Sequence, residues 1–381
     1  FPYEFLAGLE YIEVSDTEGL GRAQLTPDKI YKRVTQKMID KMSKSKGRGK
    51  KRWDDTYDTK DGFLLPVSYN SKKPYKGINI GLLEIETPVY ENPFFLTEKQ
   101  VKQAGGTLRK GAKRFDAVYF THLYKYKNTK KEEGFKTYNK GKMKDYLTTK
   151  NIDVDRFHIF VDTIPILTAH EVFNGSDVKG IDFGLDKLTE LQKVMYGFKK
   201  AGSPNNKGER NKIAELIIKN FPKNMPTIKH GYKGASYNGG TDLIKMPKFE
   251  AFYSADLYYS TLFHEAIHST GHFTRLDRPL GNKFGSAPYA REELIAELGA
   301  TYLCAYAGIL WRTEKENADY LKNWRLALKF MGDDKKFIMQ AATKAQKAVD
   351  FLLQMEKGKP KFYADLEKQI KADEKALQQA E

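Results

Sequence analysis

Apolar side chains at Ile30, Val34, Met38 and Ile39 recur every three or four residues, the spacing of one buried helix face. Thr26-Pro27-Asp28 opens that helix with a hydroxyl cap, a proline at the first helical position and an acid in the first turn. The periodicity then breaks. Residues 41–52 carry seven basic side chains and two glycines, and Trp53 follows directly, so the stretch reads as a basic loop ending on an aromatic. Strand character returns at 63–69, and a short helix opens at Thr97 and stops at Gly105-Gly106. Alternation over 115–120 marks a strand, and 154–164 reads as another. Between them, residues 125–150 hold nine lysines among Thr, Asn and Gly, which reads as an exposed insertion.

Downstream the pattern gives a helix over 213–221 and short strands at 227–231, 235–237 and 242–246. A helix spelling His264-Glu265-Ala266-Ile267-His268 follows, then a Gly- and Pro-rich loop and a long helix over 291–307. Amphipathic helices near 317–330 and 334–355 and a charged, helix-prone tail complete the chain, with no internal repeat. The expected class is α+β, with a mixed α/β N-terminal domain and a C-terminal domain of a small sheet and helices. The expected divisions are an extension at 1–25, a first domain at 26–180, a connecting helix and linker at 181–206, a second domain at 207–356 and a tail at 357–381. The run 201–206 (AGSPNN) is the clearest loop at the boundary.

Charge sharpens this division. The 381 residues carry a formal +16, of which residues 1–150 supply +12 (31 Lys/Arg against 19 Asp/Glu) and residues 151–381 only +4 (34 against 30). A basic front half joined to a near-neutral back half suggests a polyanion-binding module attached to something else. One cysteine, Cys304, excludes an intrachain disulfide framework; it lies in an apolar helical run and reads as an inert buried thiol in a reducing cytosol. No apolar run approaches the roughly 20 residues that span a bilayer, and no signal peptide opens the chain, so a cytoplasmic protein is expected. The first residue is Phe1 rather than Met, as in a trimmed or partial chain.

His264-Glu265-Ala266-Ile267-His268 is the H-E-x-x-H spelling of a zinc-peptidase helix. Residues four apart share a helix face, so two imidazoles can grip one ion while Glu265 faces the ion's open side as general base. Such centres take a third protein ligand, and the residues leave three candidates open. His272 lies on the same stripe but beyond Gly271, which ends the helix. Glu293 and Glu297 sit four apart beside the apolar stripe of Leu294, Ile295 and Leu298 on the later helix. In the thermolysin-like zincins, a carboxylate from a second helix completes His-His-Glu, and an acid four residues on orients a ligand histidine. That arrangement implies Glu293 as ligand and Glu297 behind His264. The implied cofactor is Zn2+ or another divalent ion such as Mn2+. Hydrolysis also needs a donor for the tetrahedral oxyanion; Tyr237 and His230 both lie upstream, and the sequence does not choose between them.

In the front half, Trp53, Tyr69 and Tyr75 alternate with Arg52, Lys72, Lys73 and Lys76. Phosphates paired with cations and bases stacked on aromatic rings suit a single strand. No zinc finger, basic zipper or helix-turn-helix signal supports sequence-specific reading of duplex.

Taken in order, these pieces resemble the plasmid antirestriction proteins of the ArdC type, also found fused in conjugative primases. The likeness runs from about residue 31 to 353. In front it rests on Pro66-Val67, Lys73-Pro74-Tyr75-Lys76-Gly77-Ile78-Asn79, Leu96-Thr97, Gly105-Gly106, Arg109-Lys110-Gly111 and Val172-Phe173-Asn174. Behind, it rests on Met246-Pro247, Phe249 to Phe252, Tyr258 to Leu262, the H-E-x-x-H run, Thr270-Gly271-His272, Arg275 to Arg278 and Arg291 to Leu294. The resemblance implies an N-terminal single-stranded-DNA-binding domain and a C-terminal zincin-like metallopeptidase domain, serving antirestriction in a mobile element. The expected partners are single-stranded DNA and a protein or peptide substrate, with no membrane. The expected DNA contacts are Lys50, Lys51, Arg52, Trp53, Lys73, Tyr75, Lys76, Asn79, Arg109 and Lys110. The chain departs from the family in its lysine-rich loop ending at Trp53, where a tryptophan-rich stretch is expected, and in the 125–150 insertion.

Overall fold

The computed structural model describes residues 26–47, 61–83, 89–127, 134–200, 209–310, 318–356 and 358–380. Lys50, Lys51, Arg52 and Trp53, four of the expected DNA contacts, lie outside the described residues. The first helix, Pro27–Gly47, buries Ile30, Val34 and Met38 as its periodicity requires. Its opposite flank reaches Asp116: Arg33 Nη2 donates to the carboxylate at 2.7 Å, and Lys37 also pairs with it.

The front half is built on a five-stranded sheet in the order Val67–Ser68, Phe94–Leu96, Val161–Asn174, Phe115–Tyr126, Lys136–Thr137. Its centre is a long antiparallel pair, in register from Phe115 opposite Val172 to Tyr126 opposite Val161. The strand expected over 154–164 is displaced. Asp153 caps a 3-10 turn over Val154–Arg156, a short helix Phe157–Phe160 follows, and the strand begins only at Val161. Partner pairing, which the local pattern does not encode, sets where extension starts. Residues 125–150, expected as an exposed insertion, cap the far end of this pair. Asn139 accepts from Lys142 N to start the helix Lys140–Thr149, whose Met143 and Leu147 pack with Tyr124 and Val161 in a small core of their own. The lysines are mostly on the outside, as expected; the surprise is that the segment folds.

The back half holds a three-stranded sheet with Leu243–Met246 in the middle. Thr227–His230 runs parallel to it on one side and Ser236–Asn238 antiparallel on the other. Against this sheet lies the motif helix, Ala255–Ser269, started by Ser254, whose side chain accepts from Leu257 N. The carboxylate helix, Ala287–Tyr306, starts four residues earlier than the pattern placed it, because Ser286 caps it and Pro288 fits its first turn. The two helices approach closely at one point. A Cβ on Gly299 would stand 2.7 Å from Ile267 Cδ1, so only glycine admits the contact.

One hydrophobic core crosses the expected boundary between the halves. Ile30, Val34, Val118 and Leu167 of the front half share it with Leu294, Ala341 and Val349 of the back half. Polar ties run alongside: Thr35 Oγ1 donates to Lys335 O at 2.6 Å, and Gly77 N donates to Gln346 Oε1 at 2.8 Å. No helix among the described residues is long and apolar enough to cross a membrane.

Candidate metal centre

Helix phase brings His264 and His268 to one side of the motif helix, with their Nε2 atoms 3.1 Å apart. Because Gly299 lets the carboxylate helix close in, Glu293 reaches both: Oε2 is 3.9 Å from His264 Nε2 and Oε1 is 3.7 Å from His268 Nε2. An ion with tetrahedral bonds of about 2.1 Å holds its ligands about 3.4 Å apart. Two imidazoles and a carboxylate at this spacing, each partly exposed, fit a divalent metal ion with room for a further ligand. His272 is elsewhere, its Nδ1 2.8 Å from Thr274 Oγ1. Of the three candidates for third ligand, Glu293 is the one brought to the two histidines.

Each histidine is backed by a carboxylate. Glu297 Oε1 lies 3.7 Å from His264 Nδ1, the position expected for an orienting acid. His268 Nδ1 donates to Glu292 Oε1 at 3.2 Å, a contact that spacing alone did not reveal. Glu292 is in turn clamped by buried Arg278, whose Nε donates to Oε2 at 3.0 Å and Nη2 to Oε1 at 2.8 Å. Arg278 also donates to Thr270 Oγ1 and to Ile267 O, so a single guanidinium ties the end of the motif helix to the carboxylate helix. The only sequence signal for this was two further charged residues, Arg278 and Glu292, flanking an otherwise apolar site.

The electrostatics follow from burial and crowding. Burial, then the neighbouring His268 charge, holds His264 well below its usual pKa. Burial also opposes the His268 cation. The Glu292 hydrogen bond and the charges of Glu293, Glu292 and Glu265 outweigh it and carry His268 up to about 9. Burial pushes the Glu265 carboxyl up, against the pull of His268 and of a hydrogen bond from the Tyr237 backbone N–H. Glu297 rises to about 8 through burial, reinforced by the Glu293 charge. Crowded acids and imidazoles of this kind repel one another until a cation is shared among them. Cys304 is buried and its thiol is pushed well up by burial, in keeping with an inert role.

Both oxyanion candidates are engaged away from the ligand atoms. The Tyr237 hydroxyl donates to Asp242 Oδ1 at 2.8 Å and accepts from Arg275 Nη2 at 3.1 Å. His230 Nε2 lies 3.0 Å from the Tyr258 hydroxyl.

The expected DNA contacts separate into two groups. Lys73, Arg109 and Lys110 are exposed, and Lys76 is half-buried with its Nζ 3.2 Å from Asp350. Tyr75 and Asn79 correct the sequence reading, since neither presents its side chain to solvent. Tyr75 is 2% exposed and its hydroxyl meets that of Tyr119 at 2.9 Å. Asn79 is fully buried and pairs with the Val118 backbone in both directions, each bond 2.8 Å. The open aromatic beside this loop is Tyr69, which carries Lys72 Nζ 3.7 Å from its ring centroid.

Comparison with known proteins agrees with this layout. Residues 28–155 match the N-terminal domain of anti-restriction factor ArdC, and residues 215–344 match a zincin-like metallopeptidase. The chain is 28% identical over 328 residues to the DNA primase TraC of Escherichia coli, covering 86% of this chain but 27% of the primase. It is 28% identical over 338 residues to the uncharacterized protein y4eC of Sinorhizobium fredii (strain NBRC 101917 / NGR234), covering 87% of this chain and 94% of that protein. The metal-free crystal structure of the antirestriction ArdC protein from the R388 plasmid superposes with a TM-score of 0.58 at 27% identity, covering 88% of this chain and 98% of that one. Its Mn(II)-bound structure gives 0.55 at 28% identity, covering 85% and 97%. The chain thus has the two-domain architecture of ArdC-type antirestriction proteins, an ArdC N-terminal domain followed by a zincin-like metallopeptidase domain.

Proposed function

We propose that this chain is a cytoplasmic antirestriction protein of a mobile element. Its N-terminal half (26–180) binds single-stranded DNA, and its C-terminal half (207–356) carries a metal-dependent peptidase centre. The observation that carries the second part is the meeting of His264, His268 and Glu293 with Glu265 one turn away. These three residues would hold Zn2+ or Mn2+, which when bound supplies Lewis acidity and a water of lowered pKa. Glu265, buried and with a raised pKa, takes the proton of the attacking water and passes it to the leaving amine. Glu297 and Glu292 keep the two imidazoles turned toward the centre. A peptide is the favoured substrate because Ser236–Asn238 is a sheet edge beside the motif helix, and the Tyr237 N–H bonds Glu265 itself.

Glu265→Gln tests the peptidase role. Loss of hydrolysis of DNA-associated proteins with metal and DNA binding intact supports it. Full protection of incoming DNA by the variant shows that hydrolysis is not how the protein works. The engagement of both Tyr237 and His230 favours a second reading, a DNA-binding protein whose metal centre does not hydrolyse. For the front half, affinity for single strands falls steeply with added salt. Salt-independent binding, or equal affinity for duplex, would count against it.

A further inference from the structure

Behind the metal centre, positive charge outruns the carboxylates available to balance it. Glu292, the buried acid there, has its Oε1 shared by Arg278 and His268 and its Oε2 taken by Arg278. Arg291, the preceding residue, lies against the Phe337 ring at 4.8 Å and reaches only half-exposed Asp334, at 3.6 Å through Nη2. Its Nε is buried and has no hydrogen-bond partner. Lys344 stands on the adjoining helix, Phe337–Leu352, half-buried and with no carboxylate partner among the described residues. Burial first, and then the charges of Arg291 and Arg278, push its pKa down. Lys347 adds a further cation nearby. Half-buried cations without a counter-charge are unfavourable unless something from solution supplies it.

We propose that Arg291 and Lys344, with Lys347 beside them, form a binding site for a phosphoryl oxyanion on the C-terminal half of the chain. The chemistry suits that ligand. A guanidinium with a vacant N–H offers a directed donor, and an ammonium on a flexible stem adds a point charge. The position also suits a nucleic-acid backbone. The same helix carries Gln346 and Asp350, which hold Gly77 N and Lys76 Nζ of the front half. A phosphate here would lie on the element that seats the Lys73 to Asn79 loop. The site is defined by back-half residues alone, so it stands or falls apart from DNA binding by the front half.

The test is calorimetric titration of the full, metal-loaded chain with inorganic phosphate, against chloride at matched ionic strength. Saturable phosphate binding is expected, and Lys344→Met and Arg291→Gln should each weaken it at least tenfold at unchanged metal content. No saturable binding overturns the proposal. Unchanged binding in both variants also overturns it, since the anion then sits elsewhere, the metal included. Lys344→Met keeps the apolar stem and removes an uncompensated charge, so in chloride its Tm should rise; a fall in Tm would refute the charge imbalance. Repeating the titration with a short single-stranded oligonucleotide bound identifies the source. Weaker phosphate binding then points to a backbone phosphate as the natural occupant, and undiminished binding to free phosphate; either result retains the site.

Discussion

Arg278 grips Glu292 with two nitrogens, and the same carboxylate meets His268 Nδ1 at 3.2 Å. The orientation of one candidate metal ligand is therefore set from the loop after the motif helix, through a carboxylate that never touches the centre. The pair also joins two elements, because Arg278 caps Ile267 O at the end of the motif helix while Glu292 belongs to the carboxylate helix.

Arg278→Leu should weaken metal affinity by about 10–100-fold, the usual consequence of losing an outer partner of a ligand. It should also cost about 3–5 kcal/mol of stability, because it leaves Glu292 buried without its cation. Arg278→Lys, with one point of contact in place of two, should fall between. Chelator competition and urea unfolding measure the two effects; a variant that binds metal like the wild type would remove the positioning role.

Acid should undo the same pair. Burial raises the Glu292 pKa, but the His268 and Arg278 contacts outweigh it and bring the carboxyl to about 2, against an ordinary 4.5. A depressed carboxyl stabilises the fold fully above its unfolded pKa and loses that contribution as pH falls through the folded one. In metal-stripped protein, stability should therefore drop between pH 4.5 and 2 by on the order of 3 kcal/mol from this group. Glu292→Gln should flatten the stability curve over that window. Equal slopes for variant and wild type would refute the assignment.

Gly299→Ala sets a gain in helix propensity of up to about 1 kcal/mol against a contact with Ile267 that has no room. Overpacking costs about 1–3 kcal/mol, so the clash should win. The variant should be less stable and bind metal more weakly, because Glu293 moves back with its helix. Adding Ile267→Ala should restore part of the metal affinity, which a double-mutant cycle would read.

Asn79→Ala distinguishes a DNA contact from a structural one. The side chain satisfies both the N–H and the C=O of Val118, so its loss should cost about 2–3 kcal/mol. Single-strand affinity, measured well below the lowered Tm, should be unchanged. Lys73→Ala and Lys110→Ala should do the reverse, weakening DNA binding and shortening its salt slope at little cost in stability.

Much of this layout was legible from local patterns. Caps at Thr97, Ser254 and Ser286 start helices where the chain chemistry allows, and the four-residue spacing of His264 and His268 survives folding because helix geometry is local. The strand expected over 154–164 was not legible, since its start depends on pairing with Phe115–Tyr126. Nor was the folded 125–150 segment, where four buried side chains outweigh a run of lysines that can stay in water.

The sequence by itself determined that two imidazoles and a general base share one helix face, and that acids on a later helix could meet them. Only the tertiary structure decided which acid does what. Glu292, Glu293 and Glu297 lie close together around one side of their helix, and the close passage at Gly299 sends Glu293 to both histidines, Glu297 to His264 and Glu292 to His268 and Arg278. It likewise decided that Tyr75 and Asn79 face inward. Their partners, Tyr119 and Val118, are about 40 residues away, and a long-range contact leaves no mark on the local pattern of either partner.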